Sequence, residues 1–285
     1  GMFRPDELII SNRTVSKLRA LENKWTGVSI TDNNREAAKV SDVLFICVKP
    51  LDVLPILRDM RSDLRPSIHL VSIAACVTVD DIAQLFPGPV TKVIPSVTSK
   101  VKEGISLVCH NAKVSITQKE LIKNILGRIS RVIDIKETDF EVAADFTSCA
   151  PGLFAAIFEN FVQAGLRHSE IPTEKAYQMV VSTLLGTARL MAEKEMGFSE
   201  MVQRVATKGG ITELQQNPAA TKSRRHSVQE QSTGKTKRKK SKGGLDRFLR
   251  KKIILNGNDR GLRSIINAKF VEDMNDMAFN RMRAD

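Results

Sequence analysis

No uninterrupted apolar run in this 285-residue chain approaches the ~20 residues that a bilayer core demands, so no membrane span is expected. Cysteine is scarce, and its four copies, Cys47, Cys76, Cys109 and Cys149, show no paired spacing. That excludes a disulfide framework and reads as buried small hydrophobes in a reducing, cytoplasmic setting, with no catalytic thiol and no metal site expected. The opening Met2-Phe3-Arg4-Pro5-Asp6-Glu7 turns charged at once, unlike a secretory leader. Net charge is also nearly missing from most of the chain. The total is +12, but residues 214–285 carry 18 of the 44 Lys+Arg and 7 of the 32 Asp+Glu, so +11 belongs to that tail. The densest basic run, Lys235 to Lys242, has no aromatic interleaved to stack on bases, and no nucleic-acid partner is expected.

What is present is an α/β rhythm. The six apolar residues Val43 to Val48 are too few for a membrane and too unbroken for a half-exposed strand. They predict a strand buried on both faces of a parallel sheet, stopped at Lys49-Pro50. Ligands of open α/β sheets sit outside the carboxyl ends of strands, which places Lys49 toward a candidate site. Further strands are expected at Glu7 to Ser11, Val28 to Thr31, His69 to Ile73, Thr91 to Ile94, Ser106 to Cys109 and Val132 to Ile135. Between them lie helices: one capped by Thr14 and carrying Val15, Leu18, Leu21 and Trp25, and one over Arg35 to Val40. Another runs over Leu51 to Met60 with Leu51, Leu54, Ile56 and Leu57 as its apolar face, and a fourth opens at Thr78-Val79-Asp80-Asp81. A fifth covers Gln118 to Gly127. From Glu137 the period turns helical, over 137–169, 173–196 and a short piece at Met201, Val202 and Val205. Ala143, Ala144, Ala155, Ala156 and Ala164 suit close helix packing. The fold class is therefore α/β: a partial Rossmann-type doubly wound sheet over 1–136, an all-helical domain over 137–213, and a basic tail over 214–285.

Five segments in this order resemble the pyrroline-5-carboxylate reductase family: Ser11-Asn12-Arg13-Thr14, Val48-Lys49-Pro50, Ser72-Ile73-Ala74-Ala75, Ile94-Pro95-Ser96, and Thr207-Lys208-Gly209-Gly210-Ile211-Thr212. The resemblance runs from about Glu7 to Glu213, and its wording is closest to the late-competence ComER-like branch. It implies NADPH as cofactor, a small cyclic imine as substrate, and reduction of 1-pyrroline-5-carboxylate to L-proline by a homodimer. In that chemistry the protein aligns cofactor and imine and helps protonate nitrogen. The resemblance puts Ser11, Asn12 and Arg13 at the 2′-phosphate, where a cation rather than an acid favours NADPH over NADH. It puts Val48, Lys49 and Pro50 beside the nicotinamide ribose, with Ala74 and Ala75 at the small-residue turn near the ring. Ser96, Cys149, Ala150, Gly209 and Gly210 fall at the substrate, and Thr212 is the group that hydrogen-bonds the pyrroline nitrogen. Each has a plainer alternative: a surface arginine for Arg13, helix–sheet packing for the alanines, a helix N-cap for Thr212. For the chain as a whole, the alternative is a non-catalytic ComER-like protein acting in competence or development.

Three departures from the family pattern carry expectations. A strand, Gly-x-Gly-x-x-Gly turn and helix that the family places before Leu8 are absent here, so the pyrophosphate-binding helix N-terminus is missing, and the chain is expected either to bind NADPH poorly or to be a fragment of a longer product. The family's Ser-Gly-Ser-Gly-Pro-Ala segment reads here as Thr147-Ser148-Cys149-Ala150-Pro151-Gly152, so two glycines have gained side chains at Ser148 and Ala150, and Ser96 replaces an asparagine. Beyond Glu213 the resemblance stops. Back-translating Asn217 to Gln229 one nucleotide over permits an amphipathic stretch like the family's dimer helix, so 214–285 is expected to be a frameshifted tail. Sequencing the gene tests that: the absence of a better frame would sink it.

Overall fold

The computed structural model describes residues 3–206. Gly209, Gly210, Thr212 and the basic tail lie outside the described residues. Two compact units divide the chain, with the cut after Phe154.

Among the described residues, the first unit holds seven strands in two sheets. In the smaller, β1 (Ile9–Ser11) pairs in parallel with β2 (Ser29–Thr31). In the larger, β3 (Val43–Ile46), β4 (His69–Ser72), β5 (Val90–Pro95), β6 (Gly104–His110) and β7 (Ser130–Asp134) lie side by side in that order. Neighbours are parallel except β5 and β6, which pair antiparallel from Thr91↔His110 to Pro95↔Ser106. That departs from an all-parallel doubly wound sheet. The connection between them is only a 3-10 turn over Val97–Val101 with Ser96 before it and Lys102 and Glu103 after it, and a parallel crossover needs a dozen or more residues. The tight return also fixes Gly104, where a Cβ would fall 2.7 Å from the Ser99 backbone.

Alternation along the strands sorts the core onto two faces. Leu70, Ile94, Leu107 and Cys109 meet helices α2 (Asn34–Val40), α3 (Pro50–Met60) and α4 (Val79–Ala83) on one side. Val71, Val93 and Val108 meet Ile122 and Leu126 of α5 (Ile116–Leu126) on the other. A sheet covered on both faces by connecting helices is the expected doubly wound arrangement. The smaller sheet has its own cluster, Trp25 and Val28 with Leu8, Ile10 and Leu21, closed by α1 (Val15–Lys24). Phe140 and Ala144 of α6 (Phe140–Ala144) join the large sheet's core, which is why the sheet-bearing unit extends through Phe154.

Several local expectations are corrected. Val43 to Val48 does pack on both faces, Leu44, Ile46 and Val48 against one core cluster and Val43, Phe45 and Cys47 against the other, but most of it is only half-buried. Only Ile46 is buried, because β3 is the end strand of its sheet and has β4 alone as a partner among the described residues. Leu51 is 90 % exposed, while Leu57 is buried and Leu54 and Ile56 pack against the core as expected, joined by buried Val53 and Met60. Thr14 holds the N-cap position of α1 without a side-chain bond, and Val15 is exposed. The carboxamide oxygen of Asn12 accepts the Thr14 N–H instead, at 2.9 Å. Of the cysteines only Cys109 is buried outright, while Cys76 is exposed.

The second unit is helical: most of α7 (Ala150–Leu166), then α8 (Thr173–Glu193) and α9 (Phe198–Val205). Tyr177 Oη sits 2.6 Å from both Glu159 carboxylate oxygens, tying α8 to α7. The helical run Glu137–Leu166 has the length and mean hydropathy (1.2) of a membrane span, which the contiguous apolar runs did not foretell. Small and apolar residues interspersed with few charges produce it.

Candidate active site

The sheet edge formed by the carboxyl ends of β3, β4 and β5 gathers three of the expected segments. Val48 and Pro50 are half-buried after β3, with Lys49 exposed at the N-cap of α3. Proline at the first helical position suits this turn, since its missing N–H would have had no helical partner there. After β4 comes Ala74, fully buried, with its N–H directed at Ser72 Oγ (3.3 Å), and then Ala75, which is exposed. Of the two alanines, one is thus packing and the other faces outward. Ser96 follows β5, 2 % exposed.

A widened, π-type turn over Asp145–Cys149 stands against this edge and runs into α7. Ser96 Oγ donates to the Thr147 carbonyl at 3.3 Å, so the structure does bring Ser96 together with the segment carrying Cys149 and Ala150. The Thr147 and Ser148 hydroxyls bond the carbonyls of Ala143 (2.7 Å) and Ala144 (3.1 Å), four residues earlier. Inserted turns of this kind sit frequently at functional sites. The sequence reading missed Thr147 and Thr98. Two adjacent hydroxyl residues in the middle of an otherwise apolar helical stretch were the available signal.

Ser11, Asn12 and Arg13 stand at and just beyond the end of β1, in the smaller sheet. Ser11 Oγ donates to Asn34 Oδ1 at 2.7 Å, and Asn12 holds the α1 turn as described. Arg13 is exposed, so its guanidinium is open to an anion. These residues fit a phosphate monoester: one cation beside two short polar side chains, with no acid among the three. Asn34 was not foreseen. It follows the α2 N-cap Asn33, and only the fold carries it to Ser11.

Two of the four thiols, Cys47 and Cys109, are poor nucleophiles. Burial pushes Cys47 up to about 12, and burial with the nearby Glu137 charge does the same to Cys109. Both stay protonated at neutral pH. Among the described residues no His, Cys, Asp and Glu group could hold a metal ion.

A mainly parallel α/β sheet with small residues after its strands, beside a smaller sheet ending in a cation, is an arrangement that dinucleotide-dependent oxidoreductases share. Consistently, residues 1–76 match a family profile described as NADP oxidoreductase, coenzyme F420-dependent, and residues 137–241 match one described as pyrroline-5-carboxylate reductase dimerisation. The second match runs past Glu213, where the motif resemblance ends. The chain belongs to the pyrroline-5-carboxylate reductase family. It is 38 % identical over 211 residues to pyrroline-5-carboxylate reductase 3 of Bacillus subtilis, covering 74 % of this chain and 77 % of that one. It is 28 % identical to ComE operon protein 4 of the same organism, over 73 % and 76 % of the two chains. The fold is shared with an NADP-bound pyrroline carboxylate reductase from Plasmodium falciparum, with a TM-score of 0.66, 20 % identity, and coverage of 80 % and 84 %.

Proposed function

We propose that this protein reduces 1-pyrroline-5-carboxylate, or a closely similar cyclic imine carboxylate, to the saturated amino acid with NADPH. The observation that carries the reading is the meeting of Ser96 with the Asp145–Cys149 turn at the edge where Lys49-Pro50 and Ala75 also end. When bound, NADPH supplies the hydride that adds to the ring C=N. Arg13, with Ser11 and Asn12, holds the 2′-phosphate, and Val48, Lys49 and Pro50 line the ribose. Ala75 leaves room for the flat ring, where a larger side chain would hold the substrate away. The backbone at Cys149 and Ala150 holds the substrate carboxylate, and the family motif assigns Gly209 and Gly210 to the same substrate. Thr212 donates a hydrogen bond to the imine nitrogen as it gains its proton. No observation favours the non-catalytic alternative, whose relative is the less similar of the two.

The functional form is a homodimer built on residues 137–213. The exposed faces of α7 and α8 display Phe154, Ile157, Phe161, Met179, Val181, Leu185 and Leu190. An apolar surface of this extent is what a second copy covers. The same burial accounts for the apolar character of Glu137–Leu166, only 17 % of whose most apolar window is buried in the single chain.

The test is reduced-nicotinamide consumption with the imine as acceptor. The chain oxidises NADPH in its presence, and Arg13→Ala raises KM for NADPH about 10- to 100-fold, the loss of one charge-assisted phosphate contact, while KM for NADH stays put. No imine-dependent oxidation at any NADPH concentration refutes the reading.

A further inference from the structure

We propose that Ser96 is a positioning residue, whose hydroxyl pins the widened Asp145–Cys149 turn and thereby sets where the backbone of Cys149 and Ala150 stands. The inference rests on the reading of that backbone as the substrate-carboxylate subsite. It also takes Ser96 out of direct contact with substrate.

The proton bookkeeping leaves little choice. A carbonyl only accepts, so at the 3.3 Å contact with Thr147 O the Ser96 hydroxyl is the donor. Its one proton is then committed. Thr98 Oγ1 lies 2.9 Å from Ser96 Oγ and must donate to it, and the Thr98 N–H approaches the same oxygen at 3.4 Å. One donated and two accepted bonds fill a hydroxyl. Ser96 is also 2 % exposed and held by its own N–H to Ile105 O at 2.9 Å. A side chain so enclosed and fully bonded has nothing to offer a ligand.

The receiving end needs such a contact. In a π-type turn the backbone N–H groups reach back five residues, and the ordinary i−4 bonding is interrupted. Inside the helix, Thr147 and Ser148 fill carbonyls of Ala143 and Ala144. The Thr147 carbonyl is bonded from outside the helix, by a residue 51 positions earlier in the chain. The chain Thr98 O–H, Ser96 O–H, Thr147 C=O therefore couples the end of β5 to the turn, two residues before Cys149. Bonds aligned in this way reinforce one another.

The experiment uses the full chain and three variants. Ser96→Ala removes the donor, Ser96→Thr keeps it, and Thr98→Val removes the group that turns the Ser96 proton toward Thr147. Amide hydrogen exchange is read at 145–150, and steady-state kinetics are read with 1-pyrroline-5-carboxylate and with 1-pyrroline, which has no carboxylate. Ser96→Ala is expected to speed exchange at 145–150 about 3- to 10-fold, the loss of one neutral hydrogen bond, with β5 and β6 unchanged. It raises KM for the carboxylate substrate by a similar factor, leaves KM for 1-pyrroline as it was, and changes kcat less than KM. Ser96→Thr restores both readouts. Thr98→Val moves exchange the same way by a smaller factor and decides the matter if Ser96→Ala does not fold. Unchanged exchange at 145–150 in Ser96→Ala, or in Thr98→Val in its place, overturns the proposal whatever the activity. Faster exchange with equal KM changes for both substrates overturns the positioning role while leaving the pin. A chain inactive on both imines refutes the proposed reaction and the carboxylate subsite with it, while exchange still decides whether the pin exists.

Discussion

His69 is 1 % exposed in the middle of the large sheet, and its chemistry is decided by two neighbours. Its Nε2 lies 2.6 Å from Thr91 Oγ1, which lies 2.8 Å from His110 Nδ1, and His110 Nε2 faces Asp134 at 3.7 Å. The acid favours an N–H on His110 Nε2, so His110 Nδ1 accepts from Thr91 and Thr91 accepts from His69 Nε2–H. That leaves His69 Nδ1 as a buried lone pair without a partner among the described residues. Burial first, and the neighbouring His110 second, push His69 down to about 4 from an ordinary 6.5. His110 is lowered too, by burial, with Asp134 opposing and Lys119 reinforcing. The sign follows from proton counts. Between pH 6.5 and 4 the unfolded chain binds a proton at His69 that the native chain refuses, so stability is full above 6.5 and falls as pH drops through that window. The His69 part is on the order of 2–4 kcal/mol. Urea midpoints at pH 7 and pH 4.5 measure it, against a His69→Asn variant that keeps a polar group beside Thr91. The wild-type midpoint is expected to fall more steeply than the variant's. Equal slopes would show that His69 titrates normally.

At the scale of elements, Glu137 joins three pieces. Its carboxylate accepts the Val79 N–H with both oxygens, at 2.9 and 3.1 Å, and pairs with Lys92 Nζ at 3.0 Å. Lys92 is 3 % exposed on β5 and lies 5.2 Å from the centre of the Phe140 ring. The start of α4, the middle of β5 and the entry to α6 thus share one charge pair, its lysine buried and its carboxylate partly exposed. Removing one member leaves the other uncompensated, whereas replacing both does not. Glu137→Gln is expected to cost about 2–4 kcal/mol, and Lys92→Met combined with Glu137→Gln to recover most of it. Chemical denaturation of the two variants gives the comparison, and additive losses would mean the pair is not coupled. None of this was visible in sequence, since Lys92 and Glu137 stand 45 residues apart and each reads as an ordinary surface charge. The elements themselves were legible. Their boundaries and faces were less so: Leu51 and Val15 sit at apolar positions that the fold leaves in the open.

For the whole molecule, the exposed apolar residues of α7 and α8 are the surface that the proposed dimer covers. Leu185 is 70 % and Phe161 is 54 % exposed in the single chain. Sedimentation of the full chain is expected to give a dimer, and Leu185→Asp with Phe161→Asp to give a monomer with its helix content kept. A wild-type monomer at micromolar concentration would remove the dimer. Ala155 and Ala156 are exposed as well, so the small-residue packing expected of these helices is not met within one chain.

Sequence alone determined which strands and helices form, because apolar runs, capping boxes at Thr78 and Ser115, and Lys49-Pro50 act within a few residues. It also determined the family, since the order of five short motifs survives in the linear chain. Tertiary structure alone decided that β6 runs antiparallel, that β3 ends its sheet, and that Ser96 meets Thr147. Those outcomes depend on contacts between residues far apart in sequence, and no local propensity encodes which of several hydroxyls or charges will be neighbours once the chain has closed.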